Sequence, residues 1–179
     1  MQIRTVLILC AFSLSTLMSQ QALSWGRAGA VGGHKNPSGG YTAGGVHGWR
    51  GPQGGATRGW SAVSDGQGNA AATSGGAFRG PGGAQGARAG YTTRSATGNV
   101  QHQGGAAWKG RYGQGATQST FSRTGPRSAS GTVSTQYQTN SGAGYQGVTT
   151  GTRDQGSLSI NHTGTCYDTT GAQVPCPSR

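Results

Sequence analysis

The chain has 179 residues, 37 of them glycine, and a formal net charge of +11 at pH 7. After Ser24 it contains one leucine, one isoleucine and no methionine, which excludes an ordinary aliphatic core and leaves aromatic side chains to take its place. Only three residues are acidic, which argues against enzymes that use paired carboxylates.

The N-terminal segment, residues 1–24, has the layout of a secretory signal peptide. Arg4 makes a basic start, residues 6–18 form an apolar run, and residues 22–24 form a small-x-small cleavage motif. We expect cleavage after Ser24, with Ala22 as the other candidate. The protein is then expected to be exported to the periplasm, the outer surface or the extracellular space, with no transmembrane segment left after removal of the signal.

Two other interpretations of this N-terminal segment stay open. A lipoprotein signal would use Cys10, but Leu9 precedes that cysteine where a small residue is needed. An uncleaved anchor would need roughly 20 apolar residues to cross a bilayer, and the run is shorter. Both interpretations are weaker than a cleaved signal peptide.

Residues 25–48 are predicted to be a flexible, glycine-rich arm. Pro37 interrupts the segment, and its apolar residues Val31, Tyr41 and Val46 follow no strand or helix period. Such a segment has little apolar surface with which to offset the entropy lost on ordering.

An aromatic residue returns at nearly constant spacing within residues 49–150. The positions are Trp49, Phe78, Trp108 and Tyr137, and a second aromatic residue follows each of them. The spacing is about 30 residues, and a period of about 20 to 50 residues indicates one supersecondary unit stacked on its neighbours. We expect eight aromatic side chains to form the core of this repeat: Trp49, Trp60, Phe78, Tyr91, Trp108, Phe121, Tyr137 and Tyr145.

Short strand-like segments occur from Trp49 onward. They alternate with a period of two in the best cases and are bounded by Gly, Asn, Asp or Pro. The expected strands lie around residues 57–64, 87–96, 117–123, 132–139 and 157–163. The predicted fold class is all-β, an elongated series of antiparallel hairpins repeating about every 30 residues, with low-complexity, partly disordered glycine-rich segments.

Cys166 and Cys176 are the two cysteines that follow the predicted signal peptide. An even pair in an exported protein favours an intramolecular disulfide. It would close a hairpin in a C-terminal region, residues 151–179, that also contains a strand. An intermolecular cross-link and a metal site are the alternatives, and the absence of other ligands nearby in the sequence weakens the metal site.

The cations indicate a polyanionic partner. Removal of Arg4 with the predicted signal peptide leaves 13 basic and 3 acidic residues, a net charge of 13 − 3 = +10, and 11 of the 13 cations are arginine. Because arginine binds phosphate, sulfate and carboxylate in a bidentate manner, the expected partners are acidic polysaccharide and lipopolysaccharide. The residues expected to bind them are Arg50, Arg58, Arg79, Arg88, Arg94, Lys109 and Arg111.

Two other interpretations concern the same charges and rings. Because the cations recur in every repeat, as Arg50, Arg79 and Lys109, the stronger interpretation is that they keep the chain soluble and protect open strand edges. Recurrent aromatic residues beside open edges predict self-association. Nucleic acid is not expected as a partner, because the protein is predicted to be exported and has no Arg-Gly-Gly triplet.

No catalytic motif stands out, so the protein is predicted not to be an enzyme and to need no cofactor. Residues 142–147 match G-x-G-x-x-G, but no apolar strand precedes them and no helix follows. The four histidines, His34, His47, His102 and His162, lack the spacing of metal ligands. We therefore predict no catalytic residue and no metal ligand.

Similar phrases occur at residues 50–55 (RGPQGG) and 79–83 (RGPGG), with Gly-Tyr/Trp-Ser/Thr segments between them. In these segments the chain resembles exported glycine/threonine-rich repeat proteins of Gram-negative bacteria. The resemblance covers roughly residues 49–150 and implies no activity or site residues. The expected function is that of a non-enzymatic exported structural or surface-interaction protein of the envelope or extracellular matrix. The alternative is a cationic effector that binds anionic envelopes or polysaccharides, including antimicrobial action.

Overall fold

The structure, a computed structural model, describes residues 26–176. The predicted signal peptide therefore lies outside the described residues. The described residues form one antiparallel sheet of eleven strands, each paired with the next along the chain. The strands are β1 (Gly26–Lys35), β2 (Tyr41–Gly51), β3 (Gly54–Ser64), β4 (Ala70–Arg79), β5 (Gln85–Arg94), β6 (Val100–Gly110), β7 (Gly113–Arg123), β8 (Ala129–Thr139), β9 (Gly144–Asp154), β10 (Ser157–Tyr167) and β11 (Gln173–Val174).

The all-β prediction of consecutive antiparallel hairpins is confirmed. A single 3-10 turn, Pro81–Gly83, lies between β4 and β5, and residues 26–176 contain no α-helix. The five segments predicted as strands fall on β3, β5, β7, β8 and β10. The expected disordered glycine-rich segments find no confirmation in the structure.

Seven of the hairpin loops share one backbone pattern. In each, the N–H of the first loop residue donates to the carbonyl of the fifth, and the loops are residues 36–40, 65–69, 80–84, 95–99, 124–128, 139–143 and 168–172. The fourth residue is glycine in all but one of them. At Gly98, for example, φ is +83°, a left-handed conformation that glycine adopts without steric cost.

Two of these loops begin with an aspartate that organises them. Oδ1 of Asp65 accepts two backbone N–H groups of its loop at 2.7 and 3.1 Å, while the Asn69 amide donates to Oδ2. Asp168 accepts the Thr170 hydroxyl at 2.7 Å and two backbone N–H groups. Because such bonds favour the ionised carboxylate, the side-chain bond from Asn69 above all lowers the pKa of Asp65, and that from Thr170 lowers the pKa of Asp168.

The sheet is a single layer without a hydrophobic core. Apart from the 3-10 turn beside β6, substantial contacts join only neighbouring strands. No hydrophobic side chain among residues 26–176 is buried, and the buried residues of that range are three glycines, Gly40, Gly113 and Gly147. The expected buried core of aromatic rings is therefore absent from residues 26–176, because none of these residues forms a second layer over either face.

The segment expected to be a flexible arm is ordered into strands. Residues 26–35 and 41–51 form β1 and β2, paired residue by residue from Gly26 opposite Arg50 to Lys35 opposite Tyr41. Backbone N–H and C=O groups supply this pairing, so it does not need the side-chain alternation that the sequence lacks there. The expected region boundaries at residues 48/49 and 150/151 accordingly lie inside β2 and β9.

Candidate interaction faces of the sheet

The strand register divides the side chains between two faces. Side chains alternate along a strand, and directly opposed residues share a face. We call the side that carries Trp49 the ring face and the other side the small-residue face. The ring face holds seven of the eight predicted core aromatics, namely Trp49, Trp60, Phe78, Trp108, Phe121, Tyr137 and Tyr145, whereas Tyr91 lies on the small-residue face.

The first aromatic residue of each repeat lies at the same level of the sheet, on every second strand. Trp49 on β2, Phe78 on β4, Trp108 on β6 and Tyr137 on β8 lie in one row across the ring face, connected through Ala56, Gly86 and Gly115 on the strands between. Two strand spacings put these four residues about 9.5 Å apart. We call them the ring row.

The disulfide occupies the next place in this row. Cys166 on β10 is joined to the row through Tyr145, which is opposite Tyr137. It is bonded to Cys176, with a Cα–Cα distance of 5.2 Å, so the predicted disulfide is confirmed. Cys166 follows Tyr137 at the same sequence separation that joins Trp108 to Tyr137, so its place in the row could have been predicted from spacing.

Rings of the ring face extend over glycines of the adjacent strand. A Cβ atom on Gly86 would lie 2.5 Å from Cε1 of Phe78, and one on Gly115 would overlap the indole of Trp108. The sheet thus covers one side of each ring and leaves the rest to solvent, with 48% of Phe78 and 37% of Trp108 exposed. Such aromatic–glycine pairs across strands stabilise a sheet.

Cations accompany the rings on the ring face. Arg58 on β3 and Arg88 on β5 lie two positions along their strands from the ring row and are exposed. A groove of about 830 Å³ is lined by both arginines and the four rings of the ring row. Register places seven cations on this face: Arg27, Lys35, Arg58, Arg88, Arg94, Arg123 and Arg153.

Sequence reasoning did not include Arg123 and Arg153 among the binding residues. Together with Arg94 they form a row near the opposite end of the ring face, on β5, β7 and β9. They recur with the same period as the rings, so the spacing of basic residues alone could have found them.

The small-residue face is largely free of charge. Directly opposed residues of β1 to β10 form rows across this face, and four rows lie between the row of Arg50 and the hairpin loops at the other end of the strands. These four rows contain Gly, Ala, Val, Ser, Thr, Asn and Gln with Tyr91 and His34, and no Asp, Glu, Lys or Arg. Arg50, Arg79 and Lys109 form one row at its edge. They border a groove of about 1570 Å³ that is also lined by the four rings of the ring row, Trp49, Phe78, Trp108 and Tyr137.

The seven residues predicted to bind a polyanion therefore do not form one site. Arg58, Arg88 and Arg94 lie on the ring face, and Arg50, Arg79 and Lys109 lie on the small-residue face. Arg111 is in the β6–β7 loop, where its guanidinium carbon is 5.7 Å from the ring centroid of Tyr112. The division follows from alternation, because Arg50, Arg79 and Lys109 each come directly after a ring residue.

Two histidines are held by hydroxyl groups on the ring face. Nε2 of His162 shares a hydrogen bond with the Tyr145 hydroxyl at 2.9 Å and Nδ1 shares one with Thr149 at 2.8 Å. Nδ1 of His102 pairs with the Thr92 hydroxyl at 2.8 Å. Within residues 26–176 no three His, Cys, Asp or Glu side chains come together as metal ligands would. These hydrogen bonds orient the two imidazole rings on the ring face.

No protein-family model matches the chain, and no curated protein and no solved structure matches it significantly. Over the described range, 26–176, no helix has the length and apolar character required to cross a bilayer. The two faces of the sheet are therefore the features from which a function can be inferred.

Proposed function

We propose that this protein is a non-enzymatic, exported structural protein that self-associates by stacking the small-residue faces of two copies. One observation supports this above all: the sheet is a single layer whose small-residue face is wide, carries no charge in its four inner rows and is left uncovered by residues 26–176. The charges on this face that could oppose a second copy lie at its margins, in the edge row of Arg50 and at Asp154 near the other end of the strands. Its many hydroxyl and amide side chains can form hydrogen bonds with those of a second copy.

The size of the face is sufficient for a stable dimer. Ten long strands about 4.8 Å apart, each about 10 residues long at about 3.3 Å per residue, cover on the order of 1,400 Å². A standard interface buries about 800 Å² per partner. Gly, Ala, Ser and Thr side chains let two sheets approach closely, and their hydroxyls can form hydrogen bonds across the contact.

The ring face is a poor surface for the same contact. Stacking two ring faces would oppose seven cations with seven more, and like charges brought together in an interface are costly. The small-residue face is therefore the one that meets a second copy, and the ring face stays outward.

Export is part of the proposal. Disulfides form and persist in oxidising compartments, and the Cys166–Cys176 bond fits the signal-like sequence of residues 1–24. A surface or matrix location also suits a protein that would assemble through a repetitive sheet.

The test uses two neighbouring alanines on opposite faces. Ala107 lies on the small-residue face and Ala106 on the ring face. We expect Ala107→Lys to weaken association at least about tenfold, because stacking would desolvate an unpaired ammonium. Ala106→Lys adds the same charge and should associate like the wild type.

Sedimentation velocity across a concentration series measures this difference, with circular dichroism confirming that both variants keep their strands. A wild-type protein that stays monomeric at high concentration would overturn the proposal. Equal weakening by the two variants would also overturn it, since the effect would then come from net charge alone.

A cationic effector is the second candidate function. The observation that favours it is the concentration of seven cations on the ring face. The effector would be favoured if the protein binds lipopolysaccharide, loses this binding when the salt concentration is raised, and kills bacteria. Association that persists at high salt without killing would favour the structural protein, because salt screens exposed charges.

A further inference from the structure

We infer that the ring face binds an acidic linear polysaccharide, with sugar rings stacked along the ring row and carboxylates paired with Arg58 and Arg88. This rests on the proposed function in that the ring face must stay uncovered when copies stack. The occupant follows from the spacing of the rings, their orientation on the sheet and the charges beside them.

The spacing of the rings matches a repetitive ligand. Trp49, Phe78, Trp108 and Tyr137 recur every second strand, about 9.5 Å apart, a distance comparable to two units of an extended sugar chain. A polymer whose repeating unit matches this spacing can then contact each ring of the ring row in the same way. A compact ligand would use one or two rings and leave the others unexplained.

The rings are oriented to receive a ligand that lies along the sheet. Phe78 and Trp108 extend over Gly86 and Gly115 on the neighbouring strands, so they do not project as wedges. Between 37% and 48% of Trp49, Phe78 and Trp108 remains exposed. The apolar face of a sugar can cover this aromatic surface, which is large and ordered at little entropic cost. Because these rings lie against the sheet, they are less suited to inserting among the acyl chains of a lipid bilayer.

The cations are placed for carboxylates on such a chain. Arg58 on β3 and Arg88 on β5 flank Phe78 on β4, about 6.6 Å along the strands from the ring row. They repeat with the same two-strand period as the rings and are offset from them by one strand. Guanidinium groups bind carboxylates through two parallel hydrogen bonds, and the register places no aspartate among these rows.

The experiment compares a charged and a neutral polymer with the same backbone. The full secreted protein is titrated with carboxymethyl cellulose, hydroxyethyl cellulose and anionic phospholipid vesicles at physiological salt. We expect binding to carboxymethyl cellulose, at least about tenfold weaker binding to hydroxyethyl cellulose, and no vesicle binding of comparable strength. Preference for vesicles, or equal binding of the two polymers, would overturn the inference.

Two double variants remove the same charge from opposite faces. Arg58→Gln with Arg88→Gln acts on the ring face, and Arg50→Gln with Arg79→Gln acts on the small-residue face. All four side chains are exposed, so both variants should fold. We expect the first variant to lose at least about tenfold in affinity for carboxymethyl cellulose and the second to lose less than about threefold. Equal losses would mean that only net charge matters and would overturn the inference.

Two tyrosines give the matching test of the rings. Tyr137→Ala removes a ring from the ring row, whereas Tyr91→Ala removes one from the small-residue face. Only Tyr137→Ala should weaken binding to carboxymethyl cellulose. Sedimentation of the same samples separates the two proposals: normal association without polymer binding refutes this inference alone, and polymer binding by a protein that never associates refutes the stacking alone.

Discussion

The two faces of this sheet are made by the same ten long strands and differ completely in chemistry. One carries rings and seven cations, and the other carries small uncharged side chains over most of its area. Ala106 and Ala107 are adjacent in sequence and belong to different faces. In a single-layer sheet, alternate residues of each strand lie on opposite faces, so one strand can give the two faces different chemistry.

Removing the disulfide should produce the largest effect on stability, at the end of the ring row. Replacing both cysteines by serine, Cys166→Ser with Cys176→Ser, is expected to cost about 2 to 3 kcal/mol, because the bond restricts the unfolded C-terminal segment. Hydrogen exchange should show the loss concentrated in β10 and β11. Reduction of the wild type should reproduce this result and leave the double variant unchanged. Exchange that rises evenly over all strands would contradict a local role.

A smaller effect should follow from disturbing a ring on one face only. Gly115→Ala places a methyl group inside the space of the Trp108 indole, and such overpacking typically costs about 1 to 3 kcal/mol. Gly151→Ala is the control, because the nearest atom to its new Cβ would be 4.0 Å away. Chemical denaturation should separate the two variants, and the combined indole emission of the four tryptophans should shift toward that of a more exposed indole in Gly115→Ala. Equal stability would show that the ring does not depend on the glycine.

Lowering the pH should have the smallest effect on stability, and it should act on the hairpin loops rather than on the two faces of the sheet. Hydrogen bonds hold the pKa of Asp65 and of Asp168 below the ordinary value of 3.8. The ionised carboxylates therefore stabilise the fold above pH 3.8, and this contribution is lost as the pH falls below 3.8 and through the folded pKa.

The double variant Asp65→Asn with Asp168→Asn tests this dependence. Its denaturation midpoint should fall less than that of the wild type between about pH 5 and about pH 3. Asp154→Asn removes one formal charge at another hairpin and serves as the control. If the double variant and the wild type lose stability in parallel, the loop carboxylates are not responsible for the acid sensitivity.

Strands with alternating β-branched residues were predictable, and glycine-rich strands were not. Segments such as 132–139 show their period in the side chains, whereas β1 and β2 are held by backbone pairing that leaves no such pattern. The loops share a pattern that is visible in the sequence, a first residue that is most often Asn, Asp, Ser or Thr and a glycine three positions later. The same pattern also occurs inside strands, at residues 42–45 of β2, 73–76 of β4 and 161–164 of β10, so by itself it does not locate the ends of the strands.

The amino-acid sequence by itself determined the class of structure, the period of the aromatic repeat and the disulfide. These follow from local preferences, from spacing and from the pairing of two cysteines, all of which are properties of the linear chain. Only the tertiary structure decided that the rings stay partly exposed, that they lie in one row, and that the cations divide between two faces. Strand register and the number of layers set those features, and both depend on which backbone groups pair across the sheet.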